Sequence, residues 1–155
     1  MDKKFTLIAS KGSLDWAYHP FSLASSGAAL GYDCTIFFTH HGLNLLKKNL
    51  DDLKVSSFAL AGVPMPAPIP DMFQTLPGMQ SLMTHLWKKK MKDKGITSIE
   101  ELRTLCQEAG VKFIACKMTM DLFDFSASDF IEGVEIGSAA AFFEVAGDTN
   151  ISFNL

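Results

Sequence analysis

Apolar positions along the chain fall into short unbroken runs separated by longer stretches with helical spacing. Phe5 to Ala9 is one such run, and it ends in the turn SKGSLD, where Ser13 is placed to cap a helix with Asp15 in its first turn. That helix is expected from Leu14 to Leu30, with small residues at Ala24, Ser25, Gly27, Ala28 and Ala29 for close packing on a sheet, and a stop at Gly31. CTIFFT, residues 34 to 39, forms a continuous apolar strand of the kind buried on both faces of a parallel sheet. HHGLNLLKK then opens a second helix at His40, and Val55 to Leu60 reads as a third strand.

Residues 61 to 78 carry five prolines and suit no regular element, so an extended Pro/Met-rich loop is expected there, covering something or binding something. Helices follow at about Met79 to Lys92 and Ser98 to Ala109, the second opened by a capping box of Ser98 and Glu101 and ended by Gly110. VKFIAC, from Val111, is a buried strand. GSAAAFFEVAG, from Gly137, is a last helix, and ISFNL closes as a strand. The alternation predicts an α/β fold, a three-layer α/β/α sandwich on a mostly parallel sheet of about five strands, flavodoxin-like in general architecture. At 155 residues the chain is read as one domain, 1–155.

Composition narrows the function classes. With 48% hydrophobic residues, 20% charged residues and a net charge of -3, the chain has no electrostatic case for nucleic acid. Lys3 and Lys4 run straight into a strand-like segment rather than a signal peptide, and the apolar stretch around Phe58 to Pro70 is too broken by proline to span a bilayer. A cytoplasmic protein with no membrane span is expected. Three cysteines without a CxxC pair argue against a disulfide framework and a structural zinc site.

In an open parallel sheet, ligands bind beyond the carboxyl ends of the strands, a rule that gathers Cys116, Lys11 with Gly12, and His40 with His41 on one rim. A helical turn beginning at about Met118 would aim free N–H groups at the Cys116 sulfur and favour the nucleophilic thiolate. The competing reading is a buried thiol that fills space at a strand end. Cys106 lies with Leu102, Leu105 and Ala109 on an apolar helix face, and Cys34 begins its strand at the opposite rim, too far from Cys116 for a resolving disulfide. The adjacent His40 and His41 side chains diverge and do not suit one metal ion. Lys11 is either solvated or a site for an anionic sulfur substrate. Met79, Met83, Leu86 and Trp87 recur at helical spacing, a stripe suited to self-association.

Four segments in register resemble the DsrE/DsrF-like family, in its branch sometimes labelled peroxiredoxin-like: SKGSLDWAY, ALGYDCTIFFTHHGLNLLKK, LPGMQSLMTHLWKKKMKDKG and GVKFIACKMTMDLF. Members carry Cys-x-Met-Ser/Thr-Met-Asp in the last, and Cys116, Met118, Thr119, Met120 and Asp121 fill those positions in order. Two departures stand out. Phe123 and Asp124 replace the usual Met-Gly, which changes the allowed backbone angles beside Cys116, and His40 and His41 stand where an aromatic pair is common. The resemblance implies a doubly wound parallel sheet, a homo-oligomer, and sulfur handled as a persulfide on Cys116; chemistry of that kind needs no cofactor, and no metal is expected. The rim position and the motif together mark Lys11, Gly12, Ser13, His40, His41, Met118, Thr119, Met120 and Asp121 as expected substrate-binding or site-lining residues. The implied donor is a sulfane sulfur compound such as thiosulfate, polysulfide or a low-molecular-weight persulfide, and the implied partner a sulfur-carrier protein of TusA or rhodanese type. A non-catalytic oligomeric adaptor with Cys116 structural is the alternative, and a peroxidase is disfavoured because neither a thioredoxin-type motif nor a resolving cysteine is present.

Overall fold

The computed structural model describes residues 3–56, 72 and 76–155. Within them run β1 (Lys4–Ala9), α1 (Leu14–Ala29), β2 (Asp33–Phe38), a 3₁₀ segment (His40–Leu46), α2 (Met79–Asp93), α3 (Ile99–Glu108), β3 (Lys112–Cys116), α4 (Lys117–Leu122), a 3₁₀ turn (Ala127–Asp129), β4 (Val134–Gly137), α5 (Ala139–Ala146) and β5 (Ile151–Asn154). The five strands form one sheet in the order β4-β3-β2-β1-β5, and every neighbouring pair is parallel. This is the expected α/β architecture.

Strand periodicity divides the side chains between the two faces. Phe5, Leu7, Ala9, Ile36, Phe38, Phe113 and Ala115 face the layer of α1 and α3. There Phe21, Phe38 and Phe113 meet with ring centroids 5.5 to 6.0 Å apart. Burying each such ring contributes about 2 kcal/mol. The opposite face is smaller: Phe37, Ile114 and Cys116 pack on Phe142 of α5, with Phe37 and Phe142 centroids 5.2 Å apart.

Several elements depart from expectation. The segment after β2 is a 3₁₀ helix and stops at Leu46, because tertiary partners take the carbonyls a longer helix would use. Buried Arg103 donates from Nη1 to the Leu45 and Lys47 carbonyls at 2.8 and 2.7 Å, and the Ile131 amide donates to the Leu46 carbonyl at 2.9 Å. Val55 and Ser56 lie outside any strand, with the Val55 amide donating to Thr84 Oγ1 at 3.1 Å. The rest of the expected third strand, and residues 61–71 and 73–75 of the Pro/Met-rich loop, lie outside the described residues. A strand absent from the sequence expectation, β4, pairs with β3 instead, placing Gly137 beside Cys116. The last helix accordingly begins at Ala139, capped by Ser138, whose hydroxyl accepts from the Ala141 amide.

On α2, Met83 and Trp87 pack against the protein's own core while Leu82 and Leu86 are exposed, so the stripe expected to join subunits is divided between two directions. On α3, Cys106 is fully buried but Leu105 is half exposed rather than part of the core face. The capping box is formed as expected, with the Glu101 amide donating to Ser98 Oγ at 3.2 Å and the Ser98 amide to Glu101 Oε2 at 3.1 Å.

The loops after β1 and β2 touch backbone to backbone. A Cβ at Gly12 would collide with the His41 carbonyl, and one at Gly42 with the Ala9 carbonyl. Glycine at both positions lets the Lys11 loop and the histidine turn lie against each other.

Candidate functional site

Cys116 ends β3 and is the N-cap residue of α4, with only 5% of its surface exposed. Burial pushes its thiol pKa up, but the Thr119 hydroxyl and amide, the Thr39 hydroxyl and the Met118 amide outweigh burial and hold it below the ordinary thiol value. The other two cysteines behave oppositely. Burial, with a smaller contribution from the Asp33 carboxylate, pushes Cys34 up to about 11. Burial, then the neighbouring Cys34, pushes Cys106 up to about 11. Cys34 is the second residue of β2 and Cys116 the last of β3, so parallel pairing puts them at opposite rims. Cys116 alone combines a strand's carboxyl end with an environment that favours thiolate.

Two threonines from distant parts of the chain build that environment. Thr39 follows β2, Thr119 lies on α4, and their Oγ1 atoms are 3.1 Å apart. Thr119 is buried, and its Oγ1 accepts from the His40 amide at 3.3 Å. Thr39 Oγ1 also lies 3.0 Å from His40 Nδ1. His40 reaches this geometry with φ +48, and Asp124, just past α4, has φ +55. Asp124 thus adopts the left-handed backbone that glycine adopts freely and aspartate tolerates.

The remaining motif residues disperse. Met120 is core, Met118 is 70% exposed, and Asp121 pairs with Lys117 one turn away at the surface. Lys11, Gly12, Ser13 and His41 line a separate cavity of about 540 Å³, with Trp16, Asn44 and Lys47 among its other walls and Cys116 not among them. The Lys11 ammonium sits 3.2 Å over the centre of the Trp16 ring. Ser13 occupies the N-cap position of α1 but its hydroxyl makes no cap bond, and Asp15 accepts from the Ser56 amide and hydroxyl at 2.8 and 2.7 Å. His41 lines the cavity, and its ring stacks on Phe123 just past α4, with centroids 5.5 Å apart.

The structure therefore collects Cys116, Thr119, His40 and the unforeseen Thr39 into one cluster, and Lys11, Gly12, Ser13 and His41 into another. The motif signalled Thr119. Nothing local signals Thr39, whose partner is 80 positions away. Among the described residues no three His, Cys, Asp or Glu side chains gather as metal ligands would. No helix among them is long and apolar enough to cross a membrane.

Residues 1–153 match the model of the DsrE/DsrF/DrsH-like family. Over 153 residues the chain is 57% identical to the sulfur carrier protein DsrE2 of Allochromatium vinosum, covering 96% of each. It is 27% identical over 152 residues to the uncharacterized protein YrkE of Bacillus subtilis, covering 97% of this chain and 95% of that one. The crystal structure of the ychN protein from E. coli shares the fold, with a TM-score of 0.57 over the whole of both chains at 13% identity.

Proposed function

This chain belongs to the DsrE/DsrF/DrsH-like family, and from that premise we propose that it is a sulfur-trafficking protein that carries sulfane sulfur on Cys116 as a persulfide. The observation that carries the reading is the contrast among its three thiols: Cys116 is held below the ordinary thiol pKa, while Cys34 and Cys106 are each pushed up to about 11. Its 57% identity to a protein named as a sulfur carrier supports the same reading.

The chemistry balances without a cofactor. The Cys116 thiolate attacks the sulfane sulfur of a donor, a sulfur–sulfur bond forms as the donor's own breaks, and the donor leaves as its thiolate, or as sulfite from thiosulfate. A partner's thiolate then attacks the outer sulfur and returns Cys116 to thiolate. The hydroxyls of Thr39 and Thr119 support the Cys116 thiolate. Low-molecular-weight persulfides or polysulfide are suitable donors, a TusA-type or rhodanese-type carrier is a suitable partner, and a homo-oligomer is the working assembly.

The burial of Cys116 to 5% exposure favours a second reading, a non-catalytic adaptor with a structural thiol. Intact-mass analysis separates the two. After incubation with polysulfide, wild type, Cys34→Ser and Cys106→Ser should each gain at least one sulfur atom per subunit, and Cys116→Ser should gain none. An unchanged gain in Cys116→Ser overturns the carrier reading.

A further inference from the structure

We propose that His40 is a positioning residue that sets the direction of the Thr39 hydroxyl, and through it how much negative charge the Cys116 sulfur holds; this rests on Cys116 being the working sulfur. The Thr39 hydroxyl has one proton and three neighbours that compete for it: His40 Nδ1 at 3.0 Å, Thr119 Oγ1 at 3.1 Å, and the Cys116 sulfur, which the parallel register of Phe38 with Ala115 brings beside Thr39. Thr119 Oγ1 already accepts from the His40 amide, so its own proton is free to point at the sulfur. The direction of the Thr39 proton is therefore the open choice.

His40 Nδ1 makes that choice. An unprotonated Nδ1 is an acceptor and draws the Thr39 proton away from the sulfur. In imidazolium both ring nitrogens donate, so Nδ1 gives its proton to Thr39 Oγ1 and leaves the hydroxyl proton for Cys116. Charging His40 thus favours thiolate, and the coupling is reciprocal. The left-handed backbone of His40, φ +48, holds the ring over Thr39 while its amide reaches Thr119. The other titratable groups on elements packed against this turn are Lys117 and Asp121 on α4, paired with each other, Asp124 just beyond it, and His41, whose ring stacks on Phe123.

The pH dependence of Cys116 alkylation by iodoacetamide, read by peptide mass in the folded full chain, tests this. Wild type should show a second inflection besides that of the thiol itself, and on its acid side should react about threefold faster than a single thiol ionisation extrapolates. Thr39→Val and His40→Asn, which keeps a residue tolerant of the left-handed backbone, should each give a one-proton profile. Asp121→Asn should keep the inflection. A one-proton wild-type profile overturns the proposal. So does an inflection that survives in His40→Asn or Thr39→Val, or one that Asp121→Asn removes. Polysulfide loading of the same samples separates this from the carrier reading: the expected profile without sulfur uptake overturns only the carrier, and sulfur uptake with a one-proton wild-type profile overturns only the histidine coupling.

Discussion

The hydroxyls of Thr39 and Thr119 lie 3.1 Å apart although 80 positions separate them in the chain, and both support the Cys116 sulfur. The strand that precedes Thr39 pairs in parallel with the strand that ends in Cys116, with Phe38 opposite Ala115. Parallel register therefore delivers the first threonine to the cysteine, and the helical turn that starts at the cysteine delivers the second.

Removing the buried hydroxyl should act on the thiol directly. Thr119→Val takes one donor from the sulfur and leaves the His40 amide without its acceptor. The Cys116 alkylation midpoint should rise by about 0.5 to 1 pH unit, and stability in urea should fall by about 1 kcal/mol. An unchanged midpoint would show that Thr119 is only a packing residue.

Lys11 should matter for anionic donors and not for the thiol itself, because its ammonium lies over Trp16 at the separate cavity. Lys11→Ala should slow persulfide loading from thiosulfate by about threefold to tenfold at low salt, with a smaller effect at high salt. Alkylation by a neutral reagent should keep its wild-type rate. A matching loss in alkylation would make Lys11 an electrostatic partner of the sulfur.

Arg103, a buried residue of α3, fixes the end of the histidine-bearing 3₁₀ segment. Burial lowers its pKa, the Glu100 carboxylate opposes that, and it remains a guanidinium with two carbonyl partners. Arg103→Ala leaves the Leu45 and Lys47 carbonyls unpaired and should cost about 2 to 4 kcal/mol in urea unfolding. A loss under about 0.5 kcal/mol would mean that water or a repacked side chain replaces it.

Position 124 separates backbone demand from side-chain demand. Asp124→Gly meets the φ of +55 without strain and should be close to neutral, whereas Asp124→Val should destabilise by about 1 to 2 kcal/mol. Cys116 alkylation should follow the same order, least disturbed in the glycine variant. Equal thermal midpoints for the two variants would remove the backbone explanation.

Much of this architecture is legible in local pattern. Apolar runs marked β1, β2, β3 and β5, the Ser98 and Glu101 box opened α3, and the strand-end position of Cys116 pointed to the rim where the structure puts it. Those signals are local because a strand's burial on two faces, a helix cap and a turn are each written within a few residues. The family was legible for the same reason, through contiguous motifs that the match over residues 1–153 bears out.

What tertiary structure decided depends on groups brought together from far apart. The carbonyls of Leu45, Leu46 and Lys47 bond to Arg103 and Ile131, so the segment from His40 stays 3₁₀ where local pattern read an open-ended helix. The short VEIG strand has too little pattern of its own and forms because β3 offers it an edge. Rim geometry placed Lys11 and Cys116 together in the sequence reading, yet the close backbone approach at Gly12 and Gly42 leads the Lys11 loop into its own cavity. Thr39 becomes part of the sulfur's surroundings only once β2 and β3 pair. A hydroxyl's direction is a contest among neighbours, and no stretch of sequence names the neighbours of Thr39.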